Sequence, residues 1–295
     1  MAILWSSLTQ GSVWSVLVLG VYITFRLLDI ADLSAEGVFP LGGLLSATLI
    51  SYGVHPISAT LCAFLAGALI GLLAGMIHTR LGIPSLLTGI LILTGLYSVN
   101  LHVTGGKSNI ALLGSETIYT LFQVPFFTAR NGSIFMITIM ILGSLIAGLS
   151  YFFDTEIGLA FRATGDNERM SQANGIPVNA MKVLGYMISH SLIALAGALV
   201  AQKDGFADIG MGIGTVVIGL ASIMIVEVLL PNKSLLIRLL TLVLGSILYR
   251  LLIDLILNQP WITIQATDLR LFSAILLGGI LYLPNMKHLL KRGKR

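Results

Sequence analysis

Charge is what this 295-residue chain has least of: Asp, Glu, Lys and Arg together make up 10% of it, against about 25% in an average soluble domain. That scarcity excludes a soluble globular enzyme, and a hydrophobic share of 56% excludes a disordered chain. Thiols are almost missing. The single cysteine, Cys62, lies in an apolar run, so neither a disulfide framework nor a thiolate metal site is available. His55, His78, His102, His190 and His288 share no helical face as metal ligands would. No Walker A glycine loop ending in Gly-Lys-Ser/Thr occurs, so the chain lacks that device for holding ATP. The Gly-x-Gly spacing at Gly210, Gly212 and Gly214 falls inside an apolar span and is no phosphate loop. A pI near 9.3 invites a nucleic-acid reading, but the basic residues are spread as membrane topology spreads them and form no folded patch.

What the chain does have is long apolar runs, with a mean hydropathy of +0.95. Residues 1–25, 37–79, 81–106, 131–153, 183–202, 209–226 and 271–286 contain no Asp, Glu, Lys or Arg. A membrane helix needs about 20 apolar residues. The run 37–79 is twice that and should break at Gly53-Val54-His55-Pro56 into 37–52 and 57–78. A further pass lies near 236–257. The first run lacks a basic leader region and a small-residue cleavage site, so it reads as a membrane helix and not a signal peptide. The expected fold is an all-α polytopic membrane protein of eight to nine transmembrane segments, one or two of them re-entrant, forming one domain over 1–295.

Lys and Arg collect in cytoplasmic loops. The tail Lys287, Lys291, Arg292, Lys294, Arg295 therefore places the C-terminus in the cytoplasm, together with the loop 154–182. Two glycine-rich segments, Gly37–Gly43 and Gly205–Gly219, each follow acidic residues and suggest broken helices and a two-half repeat.

Charge inside a membrane segment is a functional hypothesis by default. Asp29, Asp32 and Glu36 admit two readings. One is a solvated turn with Arg26 and Asp29 paired; boundary charge is cheap, which favours it. The other is a broken helix whose carboxylates, with Gly42, Gly43, Asn100, Gly210 and Gly214, line a translocation pathway. Asn100, His102 and Lys107 suit an extracellular mouth, and the loop 104–132 suits an external partner. Arg250 and Asp254 stand four apart and should pair. Glu227 should snorkel to the cytoplasmic boundary.

The most informative stretch is the loop Asp154–Lys182. Apolar residues recur there at roughly helical spacing between Arg162, Asp166, Glu168, Arg169 and Gln172, and Asn167 should cap a short helix from Glu168 that Gly175 and Pro177 end. Gly158-Leu-Ala-Phe-Arg162-Ala163, continued by Glu168-Arg-Met-Ser-Gln-Ala-Asn-Gly175-Ile176, resembles the cytoplasmic coupling segment of ABC-importer permeases. The resemblance is to the family serving branched-chain amino acids and simple sugars. Gly11-Ser-Val-Trp14 and Ala31–Gly37 are similar to its first two helices, and Leu192–Leu199 to the helix after the loop. Asp32-Leu-Ser-Ala-Glu36 departs from the Asn-Phe-Ala-type run of the family's amino-acid permeases, which weighs against a branched-chain substrate.

The resemblance implies a bacterial inner-membrane subunit with no chemistry of its own, working as a homodimer. A cytosolic ATPase dimer would bind ATP and Mg, and an extracytoplasmic binding protein would deliver an amino acid or similar small polar solute. Gly158, Arg162, Ala163, Asp166, Glu168, Arg169, Gln172, Gly175 and Ile176 would couple to the ATPase, with Gly158 and Gly175 fixing the ends of the docking segment. The alternative is an ion-coupled secondary transporter using Asp32, Glu36 and Asp254.

Overall fold

The computed structural model describes residues 2–122, 130–230 and 234–257, with short pieces between 271 and 279. The first apolar run forms α1 (Ala2–Tyr22), which widens at its end into a π turn, Ile23–Leu27, where the Leu28 N–H donates to the Ile23 carbonyl. The chain then leaves helical geometry, with Asp29 in the left-handed region at φ +54°. It re-enters at α2 (Ala35–Ser51), whose 17 residues span about 25 Å, short of the roughly 30 Å of a hydrocarbon core. Gly53, at φ +85°, and Pro56, at the first position of α3 (Pro56–Arg80), break the double-length run where the sequence implies.

Next come α4 (Ser85–Val103), β1 (Asn109–Ala111), α5 (Ile118–Leu121) and α6 (Arg130–Asp154). The polar loop forms α7 (Glu156–Asp166) and α8 (Glu168–Ala173). Then follow α9 (Val178–Asp204), β2 (Phe206–Asp208), a 3-10 turn at Ile209–Gly212, α10 (Thr215–Leu229) and α11 (Leu235–Leu257). Seven described stretches are long and apolar enough to cross a membrane, and α2 is a shorter apolar helix. The expected ninth segment, 271–286, and the basic tail lie largely outside the described residues.

The helices are organised around α9. Gly67, Gly71 and Gly75 form one stripe of α3 facing it; a Cβ on Gly71 would come within 2.7 Å of Met187 Cα, and one on Gly75 within 2.8 Å of Val183 Cα. Such small-residue stripes let backbones approach where no hydrophobic drive separates protein from lipid. On another side α2 and α9 interlock reciprocally. Gly42 leaves room for the Ala194 carbonyl, and Gly197 for the Phe39 carbonyl. As a result the run from Ser189 to Gln202 is buried throughout.

A buried amide at the end of α9 ties three other elements to it. Gln202 Nε2 donates to Ser46 Oγ of α2 at 3.0 Å and to Thr60 Oγ1 of α3 at 2.7 Å, while its Oε1 accepts the Ile118 N–H of α5 at 2.9 Å. Beside it β1 and β2 pair antiparallel, Asn109 opposite Asp208 and Ala111 opposite Phe206. Three-residue strands carry no readable periodicity, and the sequence does not announce them. On the outside, Leu61, Leu65, Leu69 and Leu73 of α3 stand exposed at helical spacing, an apolar stripe suited to lipid.

Candidate functional site

The break between α1 and α2 is buried, and it brings polar groups to the centre of the bundle. Asp32 is 9% exposed and Ser34 and His190 are 0% exposed, which rules out a solvated turn for Asp32. Asp32 Oδ1 accepts the Ser34 N–H at 2.9 Å and the Ser34 hydroxyl at 2.6 Å, while Ser34 Oγ lies 2.5 Å from His190 Nε2. His190 Nδ1 sits 2.8 Å from the Tyr186 carbonyl, which can only accept, so Nδ1 donates there. Asp32 Oδ2, with no hydrogen bond of its own, lies 3.5 Å from His190 Nε2. Gly89 of α4 makes room for the segment, since a Cβ there would come within 2.7 Å of the Leu33 nitrogen. Irregular backbone at membrane depth survives only where protein or a polar cavity covers it. Here α4 and α9 are the cover.

Four residues further on, Glu36 reaches the second glycine-rich segment. Its Oε1 accepts the Gly214 N–H at 3.0 Å, and its carbonyl packs where a side chain on Gly212 would stand. Gly214, at φ +85°, is the N-cap of α10. The two segments suspected of forming a repeat therefore meet, but they differ in kind. Gly37–Gly43 is helical throughout, its break lying before it, whereas Gly205–Gly214 is strand, 3-10 turn and loop.

Several expected pathway residues have other places. Gly42 and Gly43 are packing positions, Gly43 lying against Met211 of the 3-10 turn. Asn100 does not stand at a mouth; it is 1% exposed, and its Nδ2 donates to the Gly37 carbonyl at 3.3 Å, joining α4 to α2. The Gly210 N–H donates to Asp208 Oδ1 at 2.8 Å within a local turn. Arg26 pairs with Glu227 of α10 at 2.5 Å, leaving Asp29 exposed and unpaired with it. Asp254 is held by Arg250 at 3.3 Å, as the spacing implies, and by the Ser7 hydroxyl at 2.7 Å. The three carboxylates an ion-coupled mechanism would use are thus each engaged by protein groups. Among the described residues no group of three or more His, Cys, Asp or Glu could hold a metal ion.

The loop after α6 is two helices on an aromatic foot. Thr155 caps α7, its Oγ1 accepting the Gly158 N–H at 3.2 Å. Gly158 is therefore no end of the segment. It lies in the first turn, where a side chain would strike the Phe152 carbonyl. Phe161 is fully buried against Phe153 and Phe152, with ring centroids at 5.6 and 6.3 Å. Gly165 packs on the Leu27 carbonyl at the end of the π turn.

Asn167 caps α8 by accepting the Met170 N–H at 3.0 Å, and Gly175, at φ +81°, ends it with the Ile176 N–H on the Ser171 carbonyl. Glu168 pairs with Lys182 at 2.8 Å. Arg169, Met170, Gln172 and Ala173 are exposed, while Arg162, Ala163 and Ile176 are half-buried. The unit is thus a small platform, with α8 presented outward and α7 seated against α6, α9 and the π turn that follows α1.

Sequence reasoning missed His190. A lone histidine in an apolar run gives no sign of partners 156 positions away. The signal was its position in the charge-free run 183–202, where a polar ring has to be satisfied by protein.

Residues 3–283 match the family described as branched-chain amino acid transport system / permease component. The chain is 36% identical over 289 residues to the tyrosine transport system permease protein of Clostridioides difficile, covering 97% of this chain and 93% of that one. It is 25% identical over 221 residues to the ribose import permease protein RbsC of Haemophilus influenzae, covering 74% and 66%. To the probable branched-chain amino acid transport permease protein LivH of Methanocaldococcus jannaschii it is 23% identical over 213 residues, covering 67% and 65%. No solved structure matches it.

Proposed function

Since the chain belongs to the branched-chain amino acid transport system permease family, whose members are membrane components of ATP-driven importers with the ATPase on a separate subunit, we propose that its solute is an amino acid, with aromatic amino acids first in line. The observation that carries this reading is the 36% identity running through nearly the whole of a tyrosine permease, where the ribose permease matches at 25% over a shorter stretch. In this reading two copies form the pathway. The α7–α8 platform faces the cytosol on the same side as the basic C-terminal tail, and α8 docks in a groove of the ATPase, which binds ATP and Mg. The opposite end, with β1, β2 and α5, receives the binding protein. The pathway follows the α2–α9–α10 junction, where Glu36 meets Gly212 and Gly214. Asp32, Ser34 and His190 hold the unwound segment in place while the surrounding helices move.

The test is uptake into proteoliposomes holding the permease with its ATPase and binding protein. Labelled tyrosine, leucine and ribose are compared, with ATP or with only a proton or sodium gradient. ATP-dependent tyrosine uptake is expected. Uptake of ribose alone would overturn the amino-acid reading.

A further inference from the structure

At the α7 end of the bundle the π turn after α1, the second half of α7 and the first turn of α11 enclose a cleft of about 410 Å³, within the range of small-molecule sites. Its polar lining is Tyr22, Arg26, Asp29, Arg162, Asp166 and Arg238. Arg26 is spent on Glu227. The other two guanidiniums and the two carboxylates form no salt bridge with one another or with any other described residue. Two positive and two negative side chains from three elements thus face one space without neutralising each other.

A further observation, besides the unneutralised charges, marks this space as built for a ligand. Tyr22 is fully buried with its hydroxyl beside Arg238, and no hydrogen bond of good geometry closes that pair, so the hydroxyl is poorly satisfied, which is costly in a buried place.

The lining selects the ligand. A simple anion would meet Asp29 and Asp166, and a simple cation would meet Arg162 and Arg238. A molecule carrying both charges satisfies all four, its anionic group on the guanidiniums and the Tyr22 hydroxyl, its ammonium on the carboxylates. We propose that the cleft binds a zwitterion in which a primary ammonium lies near an anionic group. Two sources have that chemistry: a free α-amino acid and the headgroup of phosphatidylethanolamine.

The ligand bridges α7 to α1 and α11, so it favours the arrangement seen here over any in which α7 has moved, and a ligand shifts an equilibrium by its differential affinity for the two states. Binding slows a cycle that moves α7. The site goes beyond the transport reading and does not depend on it, because binding is measured on the permease alone.

The full chain is placed in nanodiscs of phosphatidylcholine and phosphatidylglycerol, with or without phosphatidylethanolamine, and its thermal melting is followed with L-phenylalanine as probe. If the source is a free amino acid, L-phenylalanine raises the melting temperature in discs without phosphatidylethanolamine. N-acetyl-phenylalanine, lacking the ammonium, and phenylalanine amide, lacking the carboxylate, then do not. Arg238→Gln and Tyr22→Phe, the latter a change that keeps the ring, each weaken binding tenfold or more. If the source is the headgroup, phosphatidylethanolamine itself raises the wild-type melting temperature, and that rise is lost in the same two variants. Either result supports the proposal. No shift from either source, or a shift that survives in both variants, overturns it.

Discussion

Substituting Gly42 by alanine should separate two helices that the fold needs in contact. The added Cβ would fall 2.6 Å from Ala194 Cα and overlap the Ala194 carbonyl oxygen, where ordinary contact is 3.4–4 Å. Relief requires α2 and α9 to part by about 1 Å. α9 has no room to yield, because its other side rests on Gly67, Gly71 and Gly75 of α3. Overpacking of this kind costs about 1–3 kcal/mol, and here the upper end applies because the obstructing atoms are backbone. Better helix propensity offsets up to about 1 kcal/mol of that, leaving a net loss of about 2 kcal/mol. Gly95 of α4 is the control, since a Cβ there meets nothing within 4 Å. Gly95→Ala should therefore stabilise by up to about 1 kcal/mol. Parallel thermal melts in one detergent should show shifts of opposite sign, and Gly42→Ala should also lose uptake as α2 carries Glu36 away from Gly212. A Gly42→Ala protein melting at or above wild type would refute the interlock.

Three further outcomes follow from the same geometry. His190→Ala strips Ser34 and Asp32 of a buried partner, so melting should fall by the equivalent of about 1–3 kcal/mol, with His190→Gln intermediate; unchanged melting would remove the cluster from the site. Glu227→Gln breaks the ion pair with Arg26, whose side chain is 51% exposed, and should change stability by less than about 1 kcal/mol; a larger loss in salt-dependent melts would show that the pair is shielded. Gly175→Val forces a β-branched residue to φ +81°, at a cost of about 1–2 kcal/mol. Membrane insertion should survive while co-purification of the ATPase declines; full recovery of the ATPase would count against α8 as the docking element.

Features that depend on neighbours in sequence were legible before any coordinates. Apolar run length gives the membrane helices, Gly53 and Pro56 give the break, Asn167 and Gly175 delimit α8, and a spacing of four pairs Arg250 with Asp254. Features that depend on distant neighbours were not. Gly42 and Gly214 look alike in a string, yet one is small because a carbonyl lies against it and the other because its backbone is left-handed. Asp32 reads as boundary charge until α9 supplies His190. Arg26 pairs across the bundle with Glu227 and not with Asp29, because the π turn and the left-handed Asp29 carry the carboxylate away from the helical register. Asn100 sits near the end of its helix, where a mouth residue belongs, but α2 covers it.

The central position of α9 has a consequence for how the protein is made. Ser34 is synthesised 156 residues before its partner His190, and Glu36 precedes Gly214 by 178. At about 5–20 residues per second, the polar segment after α1 waits roughly 8–36 seconds for the groups that will cover it. Through that interval α2 and α3 have been translated, but the surface their glycines fit has not. The early helices must therefore be kept apart from one another and in touch with water, lipid headgroups or the insertion machinery until α9 arrives. One large step of biogenesis is then the entry of α9 into a prepared slot, ahead of the packing of α10 and α11 on α1, and mutations lining that slot should reveal themselves first as loss of the nascent chain to proteolysis.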